Sequence, residues 1–453
     1  MARKFFLETL GCQMNFHDSE RLAGLLESEG YQRSEQPVDA DLVIVNTCSV
    51  RERAVDKLYS RLGEIREATG GRSERPIVAV TGCVAQQEGA RLLKRRAGID
   101  VVVGTQQLKQ LPAMVQAAQH ARAPQVDIHP HDDISFPLGM ARHSDPVRAW
   151  VTIIEGCNEF CAFCVVPYTR GHERMRPCAD ILAEVREAVR TGHPEIQLLG
   201  QIVNHYQAPD DAACDFAALL ERVCATPGVV RVRFASPHPR HVTPRLIAAI
   251  RDLPQVCKHL HMPVQSGSNR VLKLMRRRHT REDYLALVDG LRDEIPDIEL
   301  STDVIVGFPT ETDDDFEDTM DLARRAQFST IYSFKYSARP NTLAGQRMAD
   351  DVTEAAKTRR ILAIQAQQRD IQLRRHEAMI GRVVDVLVDS TSRRRDWELD
   401  GRTSGNIVVN FPGPREAIGQ VRAVRILDCG AYSLRGELVA ARTDYEEAHA
   451  GAH

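Results

Sequence analysis

The sequence lacks the features of a membrane or secreted protein. No apolar run reaches the roughly 18 residues that a membrane-spanning helix needs. The first residues, MARKFFLETLGC, contain neither the apolar stretch nor the cleavage site of a signal peptide. We therefore expect a cytoplasmic protein that has no membrane partner.

An excess of one charge sign is also absent. The chain has 59 Lys and Arg against 62 Asp and Glu, a formal net charge of −3, which excludes a uniformly basic nucleic-acid-binding protein. Any nucleic-acid surface must therefore be local. Internal repeats and low-complexity segments are lacking as well, and 43% hydrophobic with 27% charged residues is typical of soluble globular domains.

The length of 453 residues, at roughly 150 per domain, predicts about three domains. Residues 3–120 alternate apolar strands with amphipathic helices, which predicts an open α/β domain around a parallel sheet. Residues 121–146 are rich in Pro, His and Asp without periodicity, which favours a linker. Six strand-and-helix units over 147–375 predict a partial or complete (β/α)6 barrel. Alternating polar and apolar residues over 376–442 predict a small antiparallel β-barrel, and we expect the tail 443–453 to be disordered.

Eleven cysteines in a cytosolic chain do not indicate a disulfide framework, and a cluster of them points to metal or redox chemistry. Cys157, Cys161 and Cys164 form C-x3-C-x2-C directly after the first predicted barrel strand. This spacing lets three thiolates converge from one loop. A 4Fe-4S cube has four irons, so three cysteines leave one iron open to a substrate. A zinc site would typically use four ligands in two separated pairs, and three buried structural cysteines are the remaining alternative.

With Phe163 before its last cysteine, the triplet resembles that of the radical-SAM enzymes. The resemblance implies a 4Fe-4S cluster whose open iron takes the amino and carboxyl groups of S-adenosylmethionine. One electron then cleaves the sulfonium to a 5′-deoxyadenosyl radical, which can break C–H bonds that acid–base catalysis cannot.

The same resemblance implies further contacts to S-adenosylmethionine, at the ends of the second, fourth and fifth barrel strands. The residues are Gly200, Gln201, Gln265, Ser266, Ile305 and Gly307. The chain departs from the family pattern at Gln201, where a Glu is usual, and at Asp303 and Thr310, with Glu311 one position late. Ordinary strand-end and turn residues are the alternative interpretation of these positions.

Three more cysteines each follow an apolar strand closely: Cys12 in ETLGCQMN, Cys48 in VNTCSV and Cys83 in VTGCVAQ. The carboxyl ends of strands in an open parallel sheet form one crevice, so these cysteines can meet in space. They form a second candidate set for a 4Fe-4S cluster, with buried structural cysteines as the alternative. The five remaining cysteines are isolated and interpreted as structural: Cys178, Cys214, Cys224, Cys257 and Cys429.

Over nearly its whole length the chain resembles the methylthiotransferases: LGCQMN, NTCSV and TGCVAQ precede a radical-SAM barrel and a small β-barrel. The resemblance identifies the last module as a TRAM domain, which binds RNA. The motifs CVVPYTRG, HMPVQSGS and YSARPNT are most similar to a bacterial tRNA-modifying subgroup. This implies two 4Fe-4S clusters and S-adenosylmethionine as methyl donor and radical source. The implied reaction is methylthiolation of carbon 2 of N(6)-dimethylallyladenosine beside the anticodon, with an electron donor such as flavodoxin.

Other substrates and a non-catalytic role stay open. Related methylthiotransferases act on threonylcarbamoyl-adenosine in tRNA or on a ribosomal protein aspartate. A non-catalytic iron-sulfur protein that binds RNA is a further alternative, although the intact triplet argues against it.

A local positive surplus marks the expected tRNA surface. Residues 357–395 contain ten Lys and Arg against four Asp and Glu. The predicted contacts to the anticodon stem-loop are Arg374, Arg375, Arg393, Arg394 and Arg395. Residues 276–278 are a second basic run, and a solvated helix or loop face is the alternative for both runs.

Overall fold

A computed structural model of the chain describes residues 2–49, 54–94, 98–130, 141–392, 395 and 397–439. Within the described residues, no helix is long and apolar enough to cross a lipid bilayer. The N-terminal elements are β1 (Lys4–Leu10), α1 (Gln13–Ser28), β2 (Gln32–Arg33), β3 (Leu42–Thr47), α2 (Ala54–Thr69), β4 (Ile77–Gly82), α3 (Cys83–Glu88), α4 (Arg91–Lys94), β5 (Val101–Val103), α5 (Leu111–Ala121) and β6 (Gln125–Asp127).

These strands form one parallel sheet in the order β2-β1-β3-β4-β5-β6, which confirms the predicted open α/β domain. Strand β3 is buried throughout because its residues alternate between two cores. Leu42 and Ile44 pack with α1 and α5, and Val43 and Val45 pack with α2 and α3. Burial on both faces explains the continuous apolar run.

The edge strand β6 lies inside the segment 121–146 that was interpreted as a linker. It is only three residues long, QVD, and all three are half-buried. It pairs in parallel with β5, with Val101 opposite Gln125. A single apolar residue in a three-residue strand gives no detectable periodicity, so the sequence pattern did not reveal it.

The second part of the chain is a partial barrel. Its elements are β7 (Arg148–Thr152), β8 (Ile154–Glu155), α6 (Val166–Thr169), β9 (Arg174–Met175), α7 (Cys178–Arg190), β10 (Glu195–Leu199), α8 (Phe216–Cys224), β11 (Arg231–Phe234), α9 (Pro244–Asp252), β12 (His259–His261), α10 (Asn269–Leu274), α11 (Arg281–Glu294), β13 (Glu299–Val306), α12 (Asp313–Ala326), β14 (Thr330–Lys335), α13 (Leu343–Arg347) and α14 (Glu354–Glu377).

The barrel strands form two parallel three-stranded sheets, β7-β10-β11 and β12-β13-β14. An isolated parallel bridge links Val232 on β11 to Val256, which lies three residues before β12. Within the described residues no pairing joins β14 to β7, so the barrel is open on that side. This agrees with the predicted partial (β/α)6 barrel.

The C-terminal part is a closed five-stranded barrel of β15 (Val383–Thr391), β16 (Glu398–Thr403), β17 (Val408–Pro412), β18 (Val421–Cys429) and β19 (Leu434–Leu438). The strand order is β15-β16-β17-β19-β18, and four of the neighbouring pairs are antiparallel. The pair β17–β19 is parallel, which corrects the purely antiparallel prediction. The reason is topological: β18 pairs with β15, so β19 returns beside β17 in the same direction.

The C-terminal barrel packs against the amino ends of the (β/α)6 strands. Arg231 and Arg233, both on β11, donate hydrogen bonds to its backbone carbonyls, including Arg233 Nη2 to Thr403 O at 2.7 Å. Arg148 on β7 pairs with Asp389 at 3.5 Å. The carboxyl ends of the same strands, where the cysteine triplet follows β8, lie at the other end of the barrel.

Candidate functional site

Cys12, Cys48 and Cys83 lie together at the carboxyl edge of the N-terminal sheet. Cys12 follows β1 by two residues, and the other two directly follow β3 and β4. These strands are neighbours, and their last residues are paired in register. From β1 the chain moves outwards to β2 and then back to β3, so this edge contains the point where strand order reverses. Ligands usually bind at that point in open α/β sheets.

The three thiols interact through Cys48. Its contacts with the thiols of Cys12 and Cys83, together with burial, raise the pKa of Cys48 above its ordinary value. The contact with Cys48, followed by the positive charge of Arg170, lowers the pKa of Cys12 to about 6. The same two causes lower the pKa of Cys83 to about 7. The structure thus brings together three cysteines that the sequence separates widely.

A pair of asparagines holds the strand ends around these thiols. Asn15 Oδ1 accepts hydrogen bonds from the N–H and the thiol of Cys12, both at 3.3 Å, and Asn15 Nδ2 donates to Asn46 Oδ1 at 3.0 Å. Asn46 Nδ2 donates in return to the Asn15 carbonyl at 2.8 Å. Both side chains are fully buried. Sequence reasoning assigned them no role, although their places in the cysteine motifs LGCQMN and NTCSV were a usable signal.

Gly82 permits this close packing of strand ends. Its φ is +89°, and a Cβ there would lie 2.3 Å from Asn46 Oδ1 and 2.4 Å from the carbonyl oxygen of Thr47. We expect Gly82→Ala to destabilise the N-terminal domain by at least about 1–2 kcal/mol, because left-handed backbone is strained for L residues and the Cβ overlaps its neighbours. Urea unfolding measures the change.

Gly63→Ala in the interior of α2 is the matched control. Nothing lies within 4 Å of a Cβ at Gly63, so the same substitution meets no overlap there. Alanine is the better helix former, and a gain of about 0.5–1 kcal/mol is expected. If Gly82→Ala were as stable as the wild type, the packing argument at Gly82 would be wrong.

The second thiol set lies in the loop that follows β8. Gly156 turns the chain with φ +83°, and a Cβ there would lie 2.0 Å from the carbonyl oxygen of His172. The N–H of Cys157 donates to Gly171 O at 3.1 Å, and that of Cys164 donates to Cys161 O at 3.0 Å. Burial raises the pKa of Cys157 to about 11 and that of Cys164 to about 12, and negative charge on Cys161 adds to both shifts. The three thiols are therefore within electrostatic reach of one another.

Arg170 connects the two thiol sets. It belongs to the VPYTRG segment that follows the triplet, is 4% exposed, and donates from Nη2 to Asp18 Oδ2 on α1 at 2.7 Å. The same guanidinium lowers the pKa of Cys12 and Cys83. Because only residues 165–169 separate Cys164 from Arg170, these two residues lie at most roughly 20 Å apart. Sequence reasoning used VPYTRG as a family motif but gave Arg170 no role.

Further contacts hold the N-terminal domain against the barrel near this point. Arg21 Nη1 on α1 donates to Glu155 Oε1 at 3.2 Å. Gln106 Nε2 donates to the carbonyl oxygen of Arg170 at 2.8 Å. The rings of Phe16 on α1 and Trp150 on β7 lie 5.7 Å apart, so an aromatic pair also joins the two domains.

The donor chemistry of both thiol sets fits an iron-sulfur cube. In the part of the chain that the structure describes, no group of three or more His, Cys, Asp or Glu side chains could hold a metal ion. A cube does not require such a group, because each cysteine binds a different iron. In such a cube the three sulfurs of a set would surround a common core and not a common ion. Coordination would also deprotonate thiols whose pKa burial raises.

A cavity of about 520 Å³ opens beside Cys164. It is lined by Gln265 and Ile305, two of the residues predicted to contact S-adenosylmethionine, and by Asp303 and residues of β14. Gln265 has φ +75°, and its carbonyl oxygen accepts a hydrogen bond from Ile305 N–H at 2.9 Å. The volume is typical of sites for small ligands and cofactors.

The other predicted cofactor contacts are absent from the lining of this cavity: Gly200, Gln201, Ser266 and Gly307. The Ser266 hydroxyl is fully buried and turned towards Thr319 on α12, with the two oxygens 3.4 Å apart. Gly307 N–H donates to the Glu311 carboxylate at 2.6 Å. Gln201 Oε1 is buried, with no hydrogen-bond partner among the described residues. Gln201 thus has a buried side-chain oxygen that could accept a hydrogen bond from a ligand.

Two of the three predicted RNA-contacting arginines that the structure describes are paired with carboxylates. Arg393 and Arg394 lie outside the described residues. Arg375 pairs with Glu299 at 2.6 Å, and Arg395 pairs with Glu398 at 2.9 Å. Arg374 is exposed. The positive surplus counted along the sequence is therefore partly neutralised by carboxylates from other elements.

A second basic and aromatic surface was not found from the sequence. A cavity of about 570 Å³ lies between β14, α14 and the C-terminal barrel. Its lining includes Arg369, Arg402 and the exposed rings of Tyr332, Phe334 and Tyr432. Arginines and exposed rings are the side chains on which unpaired RNA bases stack. These residues are scattered over β14, α14, β16 and the turn between β18 and β19, so no run in the sequence marks them.

Comparison with known proteins follows the same division of the chain. Residues 4–104 match the model of Uncharacterized protein family UPF0004, residues 151–323 that of the Radical SAM superfamily, and residues 377–439 that of the TRAM domain.

Two relatives illustrate the full-length matches, and both carry the name tRNA-2-methylthio-N(6)-dimethylallyladenosine synthase. The protein from Methylococcus capsulatus is 44% identical over 442 residues, which cover 97% of this chain and 96% of the relative. The protein from Syntrophotalea carbinolica is 43% identical over 439 residues, which cover 96% of this chain and 100% of the relative.

Among solved structures, a radical S-adenosylmethionine methyltransferase from Kitasatospora setae resembles the chain with a TM-score of 0.57. The two are 16% identical, and the match covers 76% of this chain and 77% of that one. That protein was solved with cobalamin and a 4Fe-4S cluster bound. At this identity the likeness concerns the fold.

Proposed function

The chain belongs to the family of tRNA-2-methylthio-N(6)-dimethylallyladenosine synthases, and we propose that it methylthiolates carbon 2 of N(6)-dimethylallyladenosine beside the tRNA anticodon. The observation that carries the proposal is Arg170. This residue follows one thiol set in the sequence and acts electrostatically on the other. Two thiol sets brought together in this way suit a reaction that needs both a radical and a sulfur donor.

We assign a cluster to each set. Cys157, Cys161 and Cys164 would hold the 4Fe-4S cluster that binds S-adenosylmethionine, and Cys12, Cys48 and Cys83 would hold a second one. Together with S-adenosylmethionine, used as methyl donor and as radical source, these groups supply a carbon radical and a methylated sulfur for an unactivated aromatic C–H position. Each set has three thiols, which leaves one iron of each cube open to a ligand.

The chain's own residues orient the reactants and exclude water. Gln265 and Ile305 line the cavity beside Cys164, where they would contact S-adenosylmethionine. Gln201, with its free buried oxygen, is the next candidate contact. Arg170 and Asp18 hold the two domains together, so that a base between the thiol sets would be shielded from solvent. Shielding matters because a carbon radical would otherwise take hydrogen from other donors.

The partners follow from the same reaction. The match to a TRAM domain supports tRNA as the substrate. Reduction of the cluster needs an electron donor, for which we propose a flavodoxin-type carrier protein. On this proposal the protein acts in the cytoplasm, where tRNA is modified.

Mass spectrometry of tRNA nucleosides from a deletion strain tests the proposal. We expect the 2-methylthio-dimethylallyl nucleoside to disappear and N(6)-dimethylallyladenosine to accumulate, with recovery when the gene is restored. Loss of a methylthio group from threonylcarbamoyl-adenosine, or from a ribosomal protein aspartate, would instead assign the chain to another methylthiotransferase substrate. Unchanged nucleosides would refute the proposal.

Salt dependence of tRNA binding tests the predicted RNA surface. We expect replacement of Arg374, Arg393, Arg394 and Arg395 by glutamine to lower the slope of log affinity against log salt by roughly 0.7–0.9 for each phosphate that the variant no longer neutralises. Arg190→Gln is the control, because Arg190 is an exposed arginine on α7 that already pairs with Glu187. Equal slopes in wild type and variant would mean that RNA binds elsewhere on the protein. The cavity lined by Arg369 and Arg402 would then be the next candidate.

A further inference from the structure

A basic groove of about 720 Å³ borders the loop of the cysteine triplet, and the proposed function gives it no role. Its positive side chains are Lys273, Arg276, Arg277 and Arg278. Two carboxylates share the groove with these four cations, which leaves a positive surplus of two. Glu159 pairs with Arg278 at 3.6 Å and takes up part of its charge, and Asp283 accepts the N–H of Thr280 at 3.0 Å. The groove shares no lining residue with the 520 Å³ cavity. Two separate openings therefore lead to the same loop.

Arg276 stands at a position where glycine is usual. It follows α10 with φ +58°, its N–H donates to Lys273 O at 3.1 Å, and Arg277 N–H donates to Leu272 O at 2.9 Å. This is the hydrogen-bond pattern of a Schellman cap, whose left-handed residue is most often glycine. The conformation is strained for a residue with a Cβ. An exposed arginine at such a position is better explained by a use for its charge than by folding.

Arg277 ties the groove to the triplet. Its Nη1 lies 3.5 Å from Cys161 Sγ, and its Nη2 donates to the carbonyl oxygen of Pro263 at 2.7 Å. The backbone adds a second tie, since Ala162 N–H donates to Met275 O at 2.9 Å. A molecule seated in the groove would thus be one side chain away from Cys161.

The groove also presents an aromatic ring. Phe160, in the loop of the triplet, is 39% exposed and has φ +47°. Exposed cations around an exposed ring suit a transient interface with an acidic protein surface, because charge complementarity speeds encounter without tight binding. Transient redox complexes belong to the class of small interfaces.

We propose that this groove docks the acidic face of an electron-carrier protein that holds a flavin or an iron-sulfur centre. The inference rests on the proposed function, because it assumes a cluster at Cys157, Cys161 and Cys164 that must be reduced. In each transfer the carrier loses one electron and the cluster gains one, and no proton or group moves. The separate opening lets a carrier dock while the 520 Å³ cavity is filled.

The tRNA backbone is the other polyanion that could use these cations. One observation favours the carrier. Arg277 places the groove one side chain away from Cys161, at 3.5 Å, and this closeness would shorten the path of an electron but would add nothing to the binding of a phosphate.

Binding of a purified bacterial flavodoxin to the full-length, reconstituted protein tests the inference, with tRNA binding measured in parallel at low salt. In the triple variant Lys273→Glu, Arg276→Glu and Arg278→Glu, we expect flavodoxin to associate about tenfold more slowly or worse, and tRNA affinity to stay unchanged. A triple variant Arg186→Glu, Arg324→Glu and Arg325→Glu carries the same charge change on exposed helix faces elsewhere and serves as control.

The variant Arg276→Gly distinguishes an effect of lost charge from an effect of lost stability. Glycine relieves the left-handed strain, so the variant should melt at or above the temperature of the wild type and still bind flavodoxin severalfold more weakly. Unchanged flavodoxin binding in the triple variant would overturn the inference. Lost tRNA binding would also overturn it, because the groove would then be an RNA surface or a general polyanion site.

Reduction by dithionite distinguishes failure of the proposed function from failure of the docking proposal. Dithionite is a small molecule that needs no docking protein. Wild-type protein should therefore form 5′-deoxyadenosine from S-adenosylmethionine with dithionite alone. Failure of that reaction would refute the proposed radical chemistry, whereas the docking groove is judged by flavodoxin binding.

Discussion

Replacing Cys12, Cys48 and Cys83 together with alanine is expected to leave tRNA with its dimethylallyl group but without any methylthio group. The three thiols interact with one another where strand order reverses, and they are the cysteines to which we assign the sulfur-carrying cluster. Without them no protein ligand would hold that cluster. Mass spectrometry of the nucleosides after incubation of tRNA with the reconstituted variant measures the loss.

Removal of the same number of cysteines elsewhere is the control. Cys224, Cys257 and Cys429 were interpreted as structural, and their joint replacement by alanine should leave the methylthio product detectable. Iron analysis of the first variant should also show about half of the wild-type content, because one of two cubes would be lost. A variant without Cys12, Cys48 and Cys83 that still forms the methylthio nucleoside would contradict the assignment.

Arg170→Met is expected to destabilise the junction of the two domains by about 3–5 kcal/mol. Arg170 and Asp18 are 4% and 2% exposed, and the substitution leaves the Asp18 carboxylate buried without its partner. Burying an uncompensated charge costs far more than losing an exposed ion pair. Urea unfolding followed by a probe in each domain measures the effect and shows which domain loses stability.

A second substitution isolates the buried charge as the cause. Adding Asp18→Asn to Arg170→Met removes the stranded carboxylate, so the double variant should be more stable than Arg170→Met alone. Arg190→Met breaks an exposed pair with Glu187 and should change stability little. If the double variant were less stable than Arg170→Met, the buried pair would not be what holds the domains together.

The strand-end cysteines show how far the sequence could lead. An apolar strand before each of Cys12, Cys48 and Cys83 was enough to place all three at one edge of a parallel sheet, because parallel strands end on the same side. The structure puts β1, β3 and β4 side by side, and the predicted meeting of the thiols follows. Local patterns sufficed here because the rule depends on strand direction alone.

The contacts of Arg170 and Asn46 could not be predicted from local sequence patterns. The bond from Arg170 to Asp18 spans 152 positions of sequence, and the bonds between Asn46 and Asn15 span 31. Such contacts depend on how α1 packs against the barrel and against β3. No periodicity within either segment encodes that packing.

The basic run and the cofactor contacts stay predictions, and the structure adds to both what local patterns do not contain. Arg375 counts as a free charge along the sequence, but Glu299, 76 positions earlier, approaches it in the fold. Arg395 pairs with Glu398, which follows just outside the segment that was counted. Ser266 lies beside a cavity-lining residue, Gln265, yet successive side chains point in different directions, and its hydroxyl is turned towards Thr319. Sequence proximity to a site does not fix which way a side chain points.

The iron and acid-labile sulfide content of anaerobically reconstituted wild-type protein tests the two-centre account most directly. Two cubes, each held by three of the chain's thiols, predict about eight irons and eight sulfides per chain. About four of each would mean that only one thiol set binds a cluster, and would contradict the account.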